Sequence, residues 1–174
     1  MERVGRPSPN FGPRRGEARP TLVVLHYTAM PSCAEARGRL CDPAAEVSAH
    51  YLISELGQGH ALVAEDQRAW HAGAGAWGAI TDVNSHSIGI ELANPGDAPF
   101  PEPQMAALER LLAGIMARWD AGDGHPAGRG WRRKRCWRIP IWRPSASAIR
   151  GQGSIGSVWR GWGCRSGLMR RAVT

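Results

Sequence analysis

An α/β fold, a mixed β-sheet flanked by helices, is what residues 20–119 predict, and three stretches carry the prediction. TLVVLHYT (21–28) is a short continuous apolar run rich in β-branched residues and leucine, the pattern of a strand buried on both faces. SHSIGIELAN (85–94) alternates, with Ile88, Ile90 and Leu92 on one side and Ser87, Gly89 and Glu91 on the other. PEPQMAALERLLAGIMARW (101–119) places Met105, Leu108, Leu111, Leu112, Ile115, Met116 and Trp119 at helical spacing, with Pro103 suited to the first turn.

The elements between them follow in order. A polar leader rich in Pro, Gly and Arg (1–19) precedes the first strand, which ends near His26. A short helix fits Cys33 to Leu40, and CDPAAE is turn-like. SAHYLIS (48–54) reads as a second strand, and the Gly57/Gly59 turn leads into ALVAE (61–65) as a hairpin. AWHAGAGAWG (69–78) is too glycine-rich and aperiodic for an element, so it is a loop. Strand, helix, strands, loop, strand and helix in that order give a mixed sheet covered by helices. From residue 120 the periodicity stops, and residues 120–174 read as a basic tail rich in Trp and Arg.

Length and charge narrow the function classes. A chain of 174 residues is one domain by size and can bury a core without staples. The net charge of +7 suggests nucleic acid until it is divided by position. Residues 1–120 hold 10 Arg and no Lys against 14 Asp and Glu, a net −4, so the remainder nets +11 and carries all the excess. Cys33, Cys41, Cys136 and Cys164 form no CxxC pair and no regular framework, which fits thiols in a reducing compartment. The leader lacks the apolar stretch of a secretory signal, and no 18-residue apolar run occurs. These features predict a cytoplasmic monomer with no membrane and no specific nucleic-acid partner.

Taken in order, LHYTAM, VSAHYLIS, RAWHAGAGAWG and NSHSIGIELANPG, followed by the long helix, resemble the zinc-dependent N-acetylmuramoyl-L-alanine amidases of the amidase_2 family, related to the peptidoglycan recognition proteins. The resemblance covers about residues 20–119. It implies a peptidoglycan or muropeptide substrate, Zn2+ as cofactor, and hydrolysis of the amide between the lactyl group of N-acetylmuramic acid and L-alanine. It makes His26 the first zinc ligand and Glu91 the catalytic carboxylate beside the metal-bound water. His50, His71 and Asn84 become substrate-binding residues at the pocket. The chemistry asks for such residues: an amide is a poor electrophile, and zinc with three protein ligands and one open position activates water and stabilises the oxyanion. A carboxylate in reach of that water acts as general base.

The family completes its site after the long helix in a segment resembling GHSDxAPGRKxDPG, which supplies a second zinc histidine, a zinc aspartate and an oxyanion lysine. This chain has GHPAGRG at 124–130 instead; His125 is followed by no acid, since Asp123 is the last one. The stretch GWRRKRCWRIPIWRP (130–144) suggests why. Back-translated with GC-rich codons and read one base earlier, Cys136 to Trp142 permits VLAHSDL. Continued through Ser166, the same frame permits a family ending with His, Lys and Asp. The tail therefore reads as a shifted frame of an amidase gene that begins between about Trp119 and Gly130, and the chain as written is expected to be impaired. Two other functions compete. A nucleic-acid module would use the basic residues on phosphates and Trp131, Trp137 and Trp142 on bases, but it leaves the hidden motif unexplained. A non-catalytic peptidoglycan-binding protein would differ from the enzyme in zinc content.

Overall fold

The computed structural model of this protein describes residues 2, 3 and 7–120. The tail from residue 121 on, with the shifted-frame segment, His125 and the tail tryptophans, lies outside the described residues. The elements are β1 (Glu2–Arg3), β2 (Phe11–Pro13), β3 (Leu22–Tyr27), α1 (Cys33–Leu40), a 3-10 turn (Pro43–Ala45), β4 (Tyr51–Ile53), β5 (Gly59–Ala61), β6 (Gln67–Ala69), α2 (Val83–His86), β7 (Ser87–Leu92) and α3 (Glu102–Asp120). Five strands form one mixed sheet in the order β1-β5-β4-β7-β3, and β2 and β6 form a separate antiparallel ribbon. Strand β7 is parallel to both β3 and β4, while β4 and β5 make an antiparallel hairpin as expected, with its second strand at Gly59–Ala61 rather than at 61–65.

The long helix forms where its apolar spacing predicts, and its stripe decides which side of the sheet it covers. Leu108, Leu111, Leu112 and Ile115 pack onto Val23, Leu25, Tyr51, Ile53, Ile88, Ile90 and Leu92. Those are alternate residues of β3, β4 and β7, so one whole face of the sheet is hydrocarbon. Gln104, fully buried, ties the first turns of α3 to the strand ends by donating to the carbonyls of Ile53 (3.0 Å) and Ala93 (2.9 Å). At the other end, Glu65 accepts from Tyr51 Oη (2.5 Å), Arg118 Nη2 (2.5 Å) and Trp119 Nε1 (2.7 Å).

The opposite face is mixed. Helix α1 is N-capped by Ser32, which accepts from the Glu35 amide (3.2 Å) and donates to the Glu35 carboxylate (3.1 Å). Its Ala36 and Leu40 cluster with Leu52, Leu62 and Ala93 on this side. Among the described residues no helix is long and apolar enough to cross a membrane.

The leader differs from the sequence expectation. Three of its polar side chains, Ser8, Asn10 and Arg14, bond to the body. Ser8 donates to Leu40 O (2.5 Å), and the Asn10 amide donates to Asp42 O and Val47 O (2.8 Å each). Both side chains are buried. Arg14 donates to Ser85 O (2.6 Å), Ser87 O (3.1 Å) and Glu65 O (2.7 Å), which joins the β2 segment to α2, β7 and the loop before β6. The second expected strand is also shorter than drawn, and Ser85 and His86 belong to α2 rather than to the strand that follows.

Candidate active site

The polar face of the sheet is built by strand register. His26 and Glu91 are register partners on the parallel strands β3 and β7, and Leu52 of β4 is the partner of Glu91 on its other side. Register partners in a parallel pair point to the same face, about 4.8 Å apart. His26 and Glu91 are therefore neighbours on the side away from α3. Two residues back along β7 comes Gly89, paired with Val24. Two further back, Ser87 pairs with Leu22.

Gly89 explains how His71 reaches this face. The His71 ring lies directly on the Gly89 backbone: a Cβ added at Gly89 would stand 2.4 Å from His71 Cγ. Any side chain there would expel the imidazole. The loop bearing His71 is aimed by Asn84, whose Oδ1 accepts from the amides of His71 (3.1 Å) and Ala72 (2.9 Å). His71 then sits edge-on to two other imidazoles, with ring centroids 5.2 Å from His26 and 5.8 Å from His50.

Burial keeps these rings neutral. Desolvation lowers His26 from 6.5 to about 3. Desolvation and then the Arg14 charge lower His50 to about 4. His71 falls well below its ordinary value through desolvation and its two imidazole neighbours. A neutral imidazole carries one proton, so the partners assign the tautomers. Ser87 Oγ donates to Val83 O (2.6 Å), which leaves it to accept from His71 Nε2 (3.1 Å). His71 Nδ1 is then a lone pair, and it accepts from His26 Nε2 (3.1 Å). His26 is thereby left with Nδ1 as its basic nitrogen.

His50 plays a different part from the one expected. It is completely buried; its Nδ1 accepts from the Gly89 amide (2.9 Å), so its Nε2 carries the proton and donates to Gln67 O (3.1 Å). Both nitrogens are committed to backbone, and the ring serves as a brace between β7 and the β6 ribbon rather than as a substrate contact. Asn84 is likewise buried and holds the loop backbone, and His71 stands behind His26. The three residues expected to bind substrate are all buried: both ring nitrogens of His50 and His71 and the Oδ1 of Asn84 bond to protein partners.

Glu91, expected as the catalytic carboxylate, stands in register with His26. Its Oε2 is buried and meets no hydrogen-bond partner among the described residues, and desolvation raises the carboxyl from 4.5 to about 8. A carboxyl tuned to near neutrality is suited to holding and releasing a proton. As for a metal, the donors fit one corner of a zinc site. His26 Nδ1 is a fitting ligand, with His71 on the opposite nitrogen as the usual outer partner. Yet among the described residues no group of three His, Cys, Asp or Glu converges to hold an ion, and catalytic zinc takes three protein ligands.

Sequence reasoning missed Ser87, Gly89 and Arg14. The signal for the first two is present in the alternation of β7: a strand face that reads Ser, Gly, Glu leaves room above its middle residue. Nothing local marks Arg14, whose acceptors lie 51–73 positions away.

Known proteins resemble this chain in sequence and fold. The family model described as N-acetylmuramoyl-L-alanine amidase matches residues 16–139. The N-acetylmuramoyl-L-alanine amidase AmiD of Escherichia coli (strain K12) is 37% identical over 114 residues, which cover 56% of this chain and 40% of AmiD. The 1,6-anhydro-N-acetylmuramyl-L-alanine amidase AmpD of Haemophilus influenzae is 31% identical over 126 residues, covering 63% of this chain and 68% of AmpD. A solved complex of E. coli AmiD with anhydro-N-acetylmuramic acid-L-Ala-D-gamma-Glu-L-Lys superposes with a TM-score of 0.54 at 33% identity, over 63% of this chain and 52% of that one. The chain thus spans less than half of AmiD and about two-thirds of AmpD. With a family match over most of its length, and a mixed sheet and helices to go with it, the chain belongs to the N-acetylmuramoyl-L-alanine amidase family.

Proposed function

We propose that this protein is an amidase for muropeptides, acting on the amide between N-acetylmuramic acid and L-alanine, and that residues 20–120 hold half of its site. The observation that carries the reading is the His26–Glu91 register pair, a buried imidazole and a buried carboxyl with a raised pKa on the same face of adjacent strands. The names of the AmiD and AmpD relatives support the reaction, and the anhydromuropeptide in the AmiD complex supports the substrate class.

Zn2+ bound with an open position would polarise the amide carbonyl and acidify water. Of that site the described residues offer one ligand, His26 Nδ1, so the chemistry assigned here is that of the chain's own groups. His26 presents its lone pair in a fixed tautomer. Glu91 holds a proton at about neutral pH, and a cation held at His26 would draw its pKa down towards the ionised form a general base needs. The remaining histidine, aspartate and lysine of the family lie, on this proposal, in the shifted frame after residue 119.

The test is turnover of an N-acetylmuramoyl-L-alanyl peptide by this chain and by the chain with its frame restored. Release of L-alanyl peptide by the restored protein and negligible release by this one is the expected result. Equal activity would sink the shifted-frame account. No activity in either would favour a protein that binds peptidoglycan fragments without cutting them.

A further inference from the structure

Two imidazoles and a hydroxyl in one buried row need not all serve a ligand directly, and their hydrogen bonds run in a single direction. Val83 O accepts from Ser87 Oγ at 2.6 Å, Ser87 Oγ from His71 Nε2 at 3.1 Å, and His71 Nδ1 from His26 Nε2 at 3.1 Å. The direction is set at the far end, by a backbone carbonyl of α2 that can only accept. Each proton then has one place to be.

We propose that His71 is a positioning residue which, backed by Ser87, holds His26 as the Nε2–H tautomer and so commits Nδ1 as the nitrogen offered to the site. The proposal deepens the amidase reading and rests on it for the role of His26. A neutral imidazole without such a partner distributes its proton over both nitrogens, and whenever Nδ1 carries it, a cation would meet an N–H instead of a lone pair. Outer partners that settle this choice typically contribute 10–100-fold in metal affinity.

The rest of the local structure is consistent with positioning. Gly89 gives the His71 ring its seat, since a Cβ would meet its Cγ at 2.4 Å. Asn84 fixes the loop from behind through two amides. His71 is 9% exposed and Ser87 fully buried, so neither is placed to meet substrate. The sequence order is then functional: WHAG brings the acceptor, and Ser87 and Gly89 of the alternating strand supply its anchor and its seat.

The experiment is ring 15N NMR of the labelled full chain at neutral pH, which distinguishes protonated from unprotonated ring nitrogens. In the unaltered chain, His26 should show Nε2 protonated and Nδ1 bare, and His71 the same. Ser87→Ala removes the acceptor for His71 Nε2–H, so the His71 proton can move to Nδ1 and His26 should shift to a mixture or to the Nδ1–H form. His71→Leu should also give a mixture. His71→Asn, whose Oδ1 can accept from His26 Nε2, should keep the original tautomer. Amide spectra report whether each variant is folded, and Ser87→Ala decides the matter if His71→Leu is not. A protonated Nδ1 on His26 in the unaltered chain would overturn the proposal, as would an unchanged His26 in folded Ser87→Ala. In the frame-restored protein, His71→Leu should weaken Zn2+ binding about 10–100-fold and His71→Asn much less. Failure of that protein to bind Zn2+ at all would defeat the amidase reading and leave the tautomer result standing.

Discussion

The two faces of the central sheet come from the same strands and follow opposite rules. Toward α3, β7 presents Ile88, Ile90 and Leu92, which pack with four apolar residues of the helix. Away from it, the same strand presents Ser87, Gly89 and Glu91, against which His71, His50 and His26 are arranged. The apolar face tolerates exchange of one hydrocarbon for another at modest cost, because burial is roughly additive in area. The polar face does not, since the hydrogen bonds of His26, His71, His50 and Ser87 there each need a particular partner in a particular direction. One face therefore holds the fold, and the other holds chemistry that costs stability: a buried carboxyl with an unpartnered oxygen is unfavourable unless something uses it.

Substitutions separate the two faces. The largest effect falls on activity: Glu91→Ala in the frame-restored protein should lower turnover by about 10²–10⁴ while leaving unfolding stability equal or higher. A loss below tenfold would remove Glu91 from the chemistry. One residue away, Ile90→Ala should cost about 2–5 kcal/mol in urea unfolding, with the His26 ring tautomer unchanged. A change of tautomer there would mean that the faces are not independent.

The next effect depends on pH. His50 titrates near 4 in the folded chain and near 6.5 when unfolded. Above pH 6.5 both states are neutral. Below it the unfolded chain takes up a proton that the folded one refuses, so the fold is progressively destabilised as pH falls from 6.5 to 4. Relative to His50→Asn, the unaltered chain should lose about 3 kcal/mol across that window. Parallel stability curves would show that the ring is not held neutral. The smallest effect is Gly89→Ala, at about 1–3 kcal/mol for overpacking, accompanied by displacement of His71 in the ring spectra. A neutral substitution would mean that the imidazole does not need its seat.

Much of the apolar face was legible in the sequence, and less of the polar face. Helical spacing in 101–119 and the alternation of 85–94 give α3, β7 and the side on which they meet, because periodicity follows burial. The order of motifs gives His26 and Glu91, and the register of two parallel strands joins them. What His50, His71 and Asn84 do was not legible, because a motif names residues that stay together without saying whether they touch substrate or one another. The attachments of the leader were not legible for a related reason. Its polarity looks like that of a solvated segment until the acceptors of Asn10 and Arg14, 32–73 positions along the chain, are brought beside it by folding.

The central claim is that His26 supplies one zinc ligand and that the others must come from chain beyond residue 120. Zinc per chain, measured after dialysis for this protein, for the frame-restored protein and for its His26→Ala variant, tests it most directly. The account predicts far less than one zinc for the first, one for the second and loss of that zinc in the third. A full equivalent on the chain as it stands, or one retained without His26, would contradict it.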